Sequence, residues 1–197
     1  MKDRVKRALE LSREGRSSDY DLTEGIFARP EGELTHASVL LPLIERPDGC
    51  HIILTKRTAG LRNHPGQIAF PGGRRDAGDA TAEATALREA EEEIGLHRQQ
   101  VELVGTGGRH HTVTGFDVTP VLGFIDGPFT PVPEVGEVAE VFSVPFAFLM
   151  ASENVRVEAR RWRGMDRKYY VIPYGPYYIW GATARMIVAL ADAWEDA

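Results

Sequence analysis

The sequence predicts an α/β fold, in which a mixed β-sheet is flanked by helices as an α+β sandwich. Two observations carry this prediction. Short apolar runs with strand character recur along the chain, and stretches with helical periodicity occur near its start, middle and end. At 197 residues, with 43% hydrophobic and 26% charged residues, the composition is that of one globular domain, with or without an extension.

The first 33 residues predict a helix followed by a connector. Residues 3–14 follow the helical period and place these apolar side chains on one face: Val5, Ala8, Leu9 and, at the edge of that face, Leu11. The polar stretch up to residue 33 is rich in turn formers, so we interpret it as extended. The sequence therefore predicts an N-terminal helix and connector at 1–33 and a main domain at 34–197.

Strands dominate the start of the main domain and return after its central helix. Apolar runs bounded by turn residues predict a hairpin from residues 37–44 and 50–57. A short strand at 67–70 enters a glycine turn. Further strands are predicted at 101–105, 117–125, 154–162 and 168–174. A short helix near Pro145 and an amphipathic helix at 179–194 complete the pattern.

The central helix is predicted over residues 80–94. Its residues are good helix formers, Asp79 stands at the N-cap position, and Gly95 fits the left-handed position after the last turn. An apolar stripe on this helix would pack into the core: Leu87, Ala90 and Ile94. Small residues lie one and two turns before the acidic face, and we expect open room there: Ala82, Thr85 and Ala86.

Four glutamates crowd into five residues near the end of this helix, in the stretch LREAEEEIGL at 87–96. At 100° per residue, Glu89 and Glu93 lie about 40° apart, and Glu92 lies about 60° to the other side of Glu89. Glu91 lies about 160° away and cannot join them. Like charges at a helix C-terminus destabilise the helix unless cations are bound. The stretch is therefore either a seat for divalent cations or a solvated acidic face.

Charge falls into two consecutive blocks, a basic one that ends at residue 75 and an acidic one that begins at residue 76. The stretch 56–75 has five basic residues and no acid: Lys56, Arg57, Arg62, Arg74 and Arg75. The stretch 76–93 has seven acids and a single arginine. This arrangement suits a ligand that carries phosphates together with metal ions. The net charge of −6 argues against a general nucleic-acid-binding surface.

Cysteine usage and hydropathy lead to an expectation about the compartment. Cys50 is the only cysteine, which excludes an internal disulfide. The first residues are charged and lack the apolar core of a signal peptide, and the longest apolar run is too short to cross a bilayer. We therefore expect a cytoplasmic protein that does not bind membranes.

The stretch GGRRDAGDATAEATALREAEEEIGL, residues 72–96, resembles the Nudix box. Its second half, from Arg88 to Leu96, matches the family pattern Arg-Glu-apolar-x-Glu-Glu-x-Gly-apolar without a mismatch. Its first half departs from the pattern. Asp79 stands where the general box has glutamate, and one residue fewer separates it from the arginine.

This resemblance implies a Nudix fold and hydrolysis of nucleoside diphosphates linked to another group, with Mg²⁺ or Mn²⁺ as cofactor. By position, it implies Glu89 and Glu93 as metal ligands, Glu92 as a further ligand or the base, and a main-chain carbonyl of the glycine turn, assigned to Gly73. Arg88 would orient a neighbouring carboxylate. Nudix enzymes often carry a further acid on a loop, and two residues could fill that place as a base or as a solvated charge: Glu137 and Glu140.

The residues before the box, LTKRTAGLRNHPGQIAFPGG at 54–73, resemble the signature of the coenzyme A diphosphatase branch of the family. Thr58 departs from it by replacing a smaller residue. The stretch IWGATARM, residues 179–186, resembles the same branch. Coenzyme A carries a 3′-phosphate besides its diphosphate, so the resemblance implies arginines as substrate contacts: Arg57, Arg62 and Arg74. Surface salt bridges are the alternative role for such arginines.

The leading interpretation is a metal-dependent hydrolase that cleaves coenzyme A into 3′,5′-ADP and 4′-phosphopantetheine. A Nudix diphosphatase for ADP-ribose or a nucleoside triphosphate is the nearest alternative, and a non-catalytic Nudix-fold binding module is the third. The intact glutamate set argues against the third, because binding alone would not need every metal ligand. The implied partner is a small molecule, and neither nucleic acid nor a membrane is expected.

Overall fold

Helices and strands alternate along the part of the chain that the computed structural model describes, which is residues 1–13, 15–23, 34–61, 63–162 and 165–197. The helices within it are α1 (Lys2–Arg13), α2 (Ala82–Ile94), α3 (Phe146–Leu149) and α4 (Gly181–Glu195). The strands within it are β1 (Ser17–Ser18), β2 (Thr35–Arg46), β3 (Gly49–Arg57), β4 (Ile68–Ala69), β5 (Gly72–Arg74), β6 (Val101–Thr106), β7 (His110–His111), β8 (Phe116–Ile125), β9 (Val138–Pro145), β10 (Arg156–Trp162), β11 (Met165–Tyr174) and β12 (Tyr177–Trp180). None of these helices has the length and apolar character needed to cross a membrane.

The main sheet is mixed, because its central strand β2 runs parallel to β8 and antiparallel to its other partners. On the side away from β8, β2 pairs first with β5 through Ala37–Val39 and then with β3 through Leu43–Arg46. The strands follow the order β1-β7-β8-β2-β3-β4, with β6 beside β8 and β9 beside β3. A second, antiparallel sheet has the order β10-β11-β12. The predicted α/β fold with a mixed sheet and flanking helices is confirmed.

Helices cover both faces of the main sheet, so β2 is buried on both sides. Leu41 and Leu43 belong to the apolar cluster that α1, α3 and α4 share with the sheet. Leu40 and Ile44 belong to a second cluster, on the side of α2. This alternation follows from the two-residue period of a strand, and burial of both faces explains why β2 is almost continuously apolar.

The N-terminal helix packs against α4. Val5, Ala8 and Leu9 are buried there, as predicted. Leu11 is 38% exposed, so its prediction as part of the apolar face is wrong. The residue lies at the edge of the helix face, where the covering helix no longer reaches. The division of the chain at residue 34 stays a prediction.

The ends of α2 differ in how well the sequence predicts them. The helix begins two residues later than expected, because Thr81 is the N-cap and its hydroxyl accepts the Ala84 N–H at 3.2 Å. The prediction that Asp79 caps the helix is therefore wrong, and Arg88 binds its carboxylate instead. Gly95 ends the helix in the left-handed region at φ 70°, as predicted.

Among the described residues, five strands lie outside the sequence-based predictions: β1, β5, β7, β9 and β12. β9 occupies a stretch interpreted as a loop, so Glu140 lies on a strand, where it accepts a hydrogen bond from the Tyr177 hydroxyl. Pairing along β3 explains why this stretch is extended. β12 occupies the start of the predicted final helix, which begins instead at Gly181. The left-handed φ of 65° at this glycine lets the chain turn from strand to helix.

We predict that Thr81→Ala lowers the free energy of unfolding by about 1 kcal/mol, because it removes the acceptor for the Ala84 N–H at the start of α2. Thr81→Ser keeps this acceptor and should retain most of the stability. Urea denaturation followed by circular dichroism measures both variants. If Thr81→Ala is as stable as the parent protein, another group caps the helix.

Candidate active site

The glycine pair of β5 brings the main chain against the acidic face of α2. A Cβ atom at Gly73 would lie 2.5 Å from the carboxyl atoms of Glu89, so any larger residue would require this carboxyl to move. Gly72 donates its N–H to Glu93 Oε2 at 3.2 Å. Pairing with β2, in which Gly73 stands opposite Ser38, holds the glycines in place. Two carboxylates and main-chain groups therefore share one small space.

Burial determines the protonation of these two carboxylates. Glu93 is only 4% exposed, and burial raises its pKa from 4.5 to about 7. The Gly72 N–H and the charge of Arg57 oppose this rise, whereas the charges of Glu89 and Glu137 add to it. The pKa of Glu89 is also raised, chiefly by burial, against the opposing charge of the neighbouring Arg88. The pair is therefore short of positive charge.

Arg88 binds three carboxylates near this side of the helix. Its Nη1 lies 2.9 Å from Glu89 Oε1 and 3.0 Å from Glu92 Oε2, and its Nη2 lies 3.0 Å from Asp79 Oδ2. The hydrogen bond from Arg88 holds the pKa of Asp79 well below its usual range. Arg88 Nη2 also donates to the carbonyl oxygen of Arg74 at 3.0 Å. Asp79 thus anchors the arginine, and the arginine ties the loop before α2 to the helix.

Glu92 and Glu91, the other glutamates near the end of α2, are not buried. The Glu92 side chain is 59% exposed, and Glu91 Oε1 lies 2.8 Å from His97 Nδ1 on another side of the helix. The expectation of open room before the carboxylates is wrong, since Thr85 and Ala86 are fully buried. Ala86 belongs to the apolar cluster between α2 and the sheet, so this part of the helix faces the core.

The predicted phosphate contacts are not all placed at the carboxylates. Arg57 lies at the end of β3, with its Nη1 3.9 Å from Glu93 Oε1 and its Nε buried without a hydrogen bond. The side chain of Arg74 is exposed at the end of β5. Arg62 lies outside the described residues. Of these three arginines, the structure brings Arg57 to the buried glutamates.

The loop that carries Glu137 wraps around the end of α2. Glu134 donates its N–H to the carbonyl of Glu93 at 2.9 Å. Thr58 holds the loop from the other side, because its N–H donates to the Glu137 carbonyl at 2.9 Å and its hydroxyl to the Gly136 carbonyl at 3.0 Å. Glu137 is exposed, yet its charge raises the pKa of both buried glutamates. Sequence reasoning misses this role of Thr58, since its partners are distant in the chain.

The donor set suits a hard divalent cation, because carboxylate and main-chain oxygens are the ligands that such ions prefer. Glu93, which is buried, and Glu89, which is partly buried, are short of positive charge and lie against the glycine backbone, so they fit this requirement. Among the described residues, no three His, Cys, Asp or Glu side chains are already grouped as a metal cluster. The residues therefore fit an ion that takes its other ligands from phosphate oxygens and water, as Mg²⁺ commonly does.

Comparison with known proteins identifies the family to which this chain belongs. Residues 34–162 match the NUDIX domain. The chain belongs to the Nudix family. The uncharacterized Nudix hydrolase NudL of Enterobacter sp. (strain 638) is 40% identical to it over 175 residues, which cover 88% of this chain and 90% of that protein. The protein of the same name from Cronobacter sakazakii (strain ATCC BAA-894) is 37% identical over 174 residues, with the same two coverages.

Solved Nudix structures share the fold. The Nudix hydrolase RenU of M. smegmatis aligns with a TM-score of 0.50 and 28% identity, over 59% of this chain and 73% of that one. The MutT protein of Methanosarcina mazei Go1 aligns with a TM-score of 0.53 over 85% and 97% of the two chains, and at 16% identity this likeness shows the fold alone. Nudix hydrolases act on nucleoside diphosphate-linked substrates and generally use divalent ions such as Mg²⁺ or Mn²⁺.

The raised pKa of Glu93 predicts a cost to the metal-free Nudix fold at alkaline pH. Folding favours the protonated carboxyl, so this contribution to stability is complete below pH 4.5 and is lost as the pH rises through about 7. Without metal, Glu93→Gln should therefore be more stable than the parent protein at pH 8, by up to about 3 kcal/mol. Near pH 4.5 the two should be similar.

Urea denaturation in the presence of a chelator, repeated across this pH range, measures the difference. Glu91→Gln is the matched control, because Glu91 is partly exposed and lies beside His97. Equal stability of the Glu93→Gln variant and the parent protein at pH 8 would contradict the raised pKa.

Proposed function

We propose that this Nudix hydrolase cleaves the diphosphate of coenzyme A and releases 3′,5′-ADP and 4′-phosphopantetheine. The observation that carries the proposal is the position of Arg57, 3.9 Å from Glu93, because a cation able to bind phosphate stands beside the buried carboxylates. The resemblance of residues 54–73 and 179–186 to the coenzyme A diphosphatase branch supports this choice of substrate.

For the cofactor, we propose that Glu89, Glu93 and the main-chain carbonyl of Gly73 hold Mg²⁺ or Mn²⁺, with Glu92 as a further ligand. The close packing of Gly73 on Glu89 and the shortage of positive charge at Glu93 support this set. When bound, the ion would offset the charge of the diphosphate and lower the pKa of the attacking water.

The arginines of the chain have separate proposed tasks. Arg88 keeps Glu89 and Glu92 oriented, since its guanidinium contacts both carboxylates and is anchored in turn by Asp79. Arg57 binds phosphate oxygens, for which its unpaired Nε offers a donor. The exposed Arg74 is a further phosphate contact, and Arg62 is proposed for the same task on the resemblance alone.

Two carboxylates are candidates for the base that accepts the proton of the attacking water. Glu92 is exposed and borders the buried pair on the same helix face. Glu137 is exposed on the neighbouring loop, and its charge acts on Glu89 and Glu93. The pH dependence of turnover in Glu92→Gln and Glu137→Gln separates them, because loss of the base removes the acidic limb of the profile.

Incubation of the purified protein with coenzyme A tests the proposed reaction directly. We expect release of 3′,5′-ADP in the presence of Mg²⁺ or Mn²⁺, and no release after exhaustive chelation. Cleavage of ADP-ribose or a nucleoside triphosphate in place of coenzyme A would overturn the substrate. Absence of hydrolysis with all three would overturn the assignment of a catalytic role in diphosphate hydrolysis.

We predict that Glu89→Gln and Glu93→Gln each reduce turnover of coenzyme A by about 10³-fold, because each removes a proposed metal ligand. Glu91→Gln is the control on the same helix, and its activity should stay close to that of the parent protein because Glu91 lies beside His97. Turnover and circular dichroism are measured together to separate lost activity from lost folding. Equal losses in all three variants would contradict the division of the helix into two faces.

We predict that Arg57→Ala lowers kcat/KM for coenzyme A by about 10- to 150-fold, the range for the loss of one charge-assisted contact. Lys56→Ala is the neighbouring control and should have little effect, because Lys56 is exposed beside it on β3. A smaller loss on dephospho-coenzyme A would assign Arg57 to the 3′-phosphate, and an equal loss would assign it to the reacting diphosphate. An Arg57→Ala variant with unchanged kinetics would remove the observation on which the proposed function rests.

A further inference from the structure

The stretch IWGATARM at residues 179–186 has no part in the site described so far. It contains the first turn of α4, far along the chain from α2 and the glycines. Thr183 lies in this turn and is buried. Its Oγ1 donates a hydrogen bond of 3.0 Å to the carbonyl oxygen of Ile68. The motif therefore contacts the chain segment that leads into the active site.

That segment comprises residues 67–72, and it leads from a contact with Arg57 to the glycine pair. At its start, the Arg57 N–H donates to the Gln67 carbonyl at 2.9 Å. At its end, the Gly72 N–H donates to Glu93. Ile68 lies between these two anchors, so its position affects how far the proposed phosphate contact stands from the proposed metal ligands.

The strand that contains Ile68 is short and lies at the edge of the main sheet. β4 is only two residues long and ends the strand order of the main sheet. Carbonyls alternate in direction along a strand, and the Gln67 and Ala69 carbonyls accept bonds from Arg57 and Thr55 of β3. The Ile68 carbonyl therefore points away from β3, and Thr183 is the donor that meets it.

The Thr183 hydroxyl bonds outside its own helix. A threonine within a helix can bond to a carbonyl three or four residues earlier in the same helix. Thr183 is the third residue of α4, and its hydroxyl donates to the Ile68 carbonyl instead. The helix itself is fixed by fully buried residues that follow, Ala184 and Ile187.

We propose that Thr183 is a positioning residue, which sets the place of β4 between Arg57 and the glycine pair and so aligns the phosphate contacts with the carboxylates. The proposal rests on the proposed function for its kinetic consequence, but its structural part does not depend on the substrate.

The test compares Thr183→Val, which keeps the shape and removes the hydroxyl, with Thr183→Ser, which keeps the hydroxyl. Arg185→Gln is the control from the same motif, since Arg185 Nε donates to Asp21 Oδ2 at 2.8 Å and so contacts a different segment. Hydrogen exchange is measured at the Arg57 and Gly72 amides, and steady-state kinetics are measured with coenzyme A.

We expect Thr183→Val to raise exchange at those two amides and to raise KM for coenzyme A about 3- to 10-fold, with kcat changed less. Thr183→Ser should restore both quantities, and Arg185→Gln should leave both as in the parent protein. If the parent protein does not hydrolyse coenzyme A, the proposed function fails while the exchange measurement still tests the positioning role. Unchanged exchange in Thr183→Val, or an equal rise over the whole chain, would overturn the proposal.

Discussion

The close contact between the Gly73 main chain and the Glu89 carboxylate is the constraint on which the rest of the site depends. It requires the glycine strand to be held in place, and it requires α2 to be held firmly against that strand. Pairing of β5 with β2 meets the first requirement, and the Thr81 cap with the packing of Ala86 meets the second. A side chain at Gly73 would displace the Glu89 carboxylate from its place beside the main chain.

The electrostatics of the site follow from this packing. Glu93 is buried and Glu89 is partly buried near the C-terminal end of a helix, where the helix dipole disfavours negative charge. Arg88 is shared among Asp79, Glu92 and Glu89, and it lowers the pKa of Asp79 while the pKa of Glu89 stays raised. Glu93 has only the more distant Arg57 and one N–H from Gly72. The fold thus tolerates an uncompensated negative charge at a position where a Nudix hydrolase can use a cation. Functional sites commonly lower the stability of a fold in this way.

Local patterns were sufficient to predict α2, which carries the glutamates, but not the strand β5, which carries the glycines. Helical period separated Glu89 and Glu93 from Glu91, and glycine chemistry placed the end of α2 at Gly95, because both depend on residues within one or two turns. The partner of Asp79 was not predictable in this way, since it depends on the path of the loop before the helix. β9 was missed for a similar reason, as its extended form depends on pairing with β3, a strand distant in the sequence. The roles of Thr58 and Thr183 are likewise visible only in three dimensions.

The extent of the family match differs from the extent of the packed core. The NUDIX domain match ends at residue 162, whereas α4 lies beyond it and contributes Ile187 and Leu190 to the same apolar cluster as Leu54 and Ile68. A chain that ended at residue 162 would leave this face of the sheet exposed to water and β4 without the hydrogen bond from α4. The NudL relatives match 88% of the chain, more than the 34–162 stretch alone provides. The segments outside the domain match therefore complete the packed core and supply the hydrogen bond from α4 to β4.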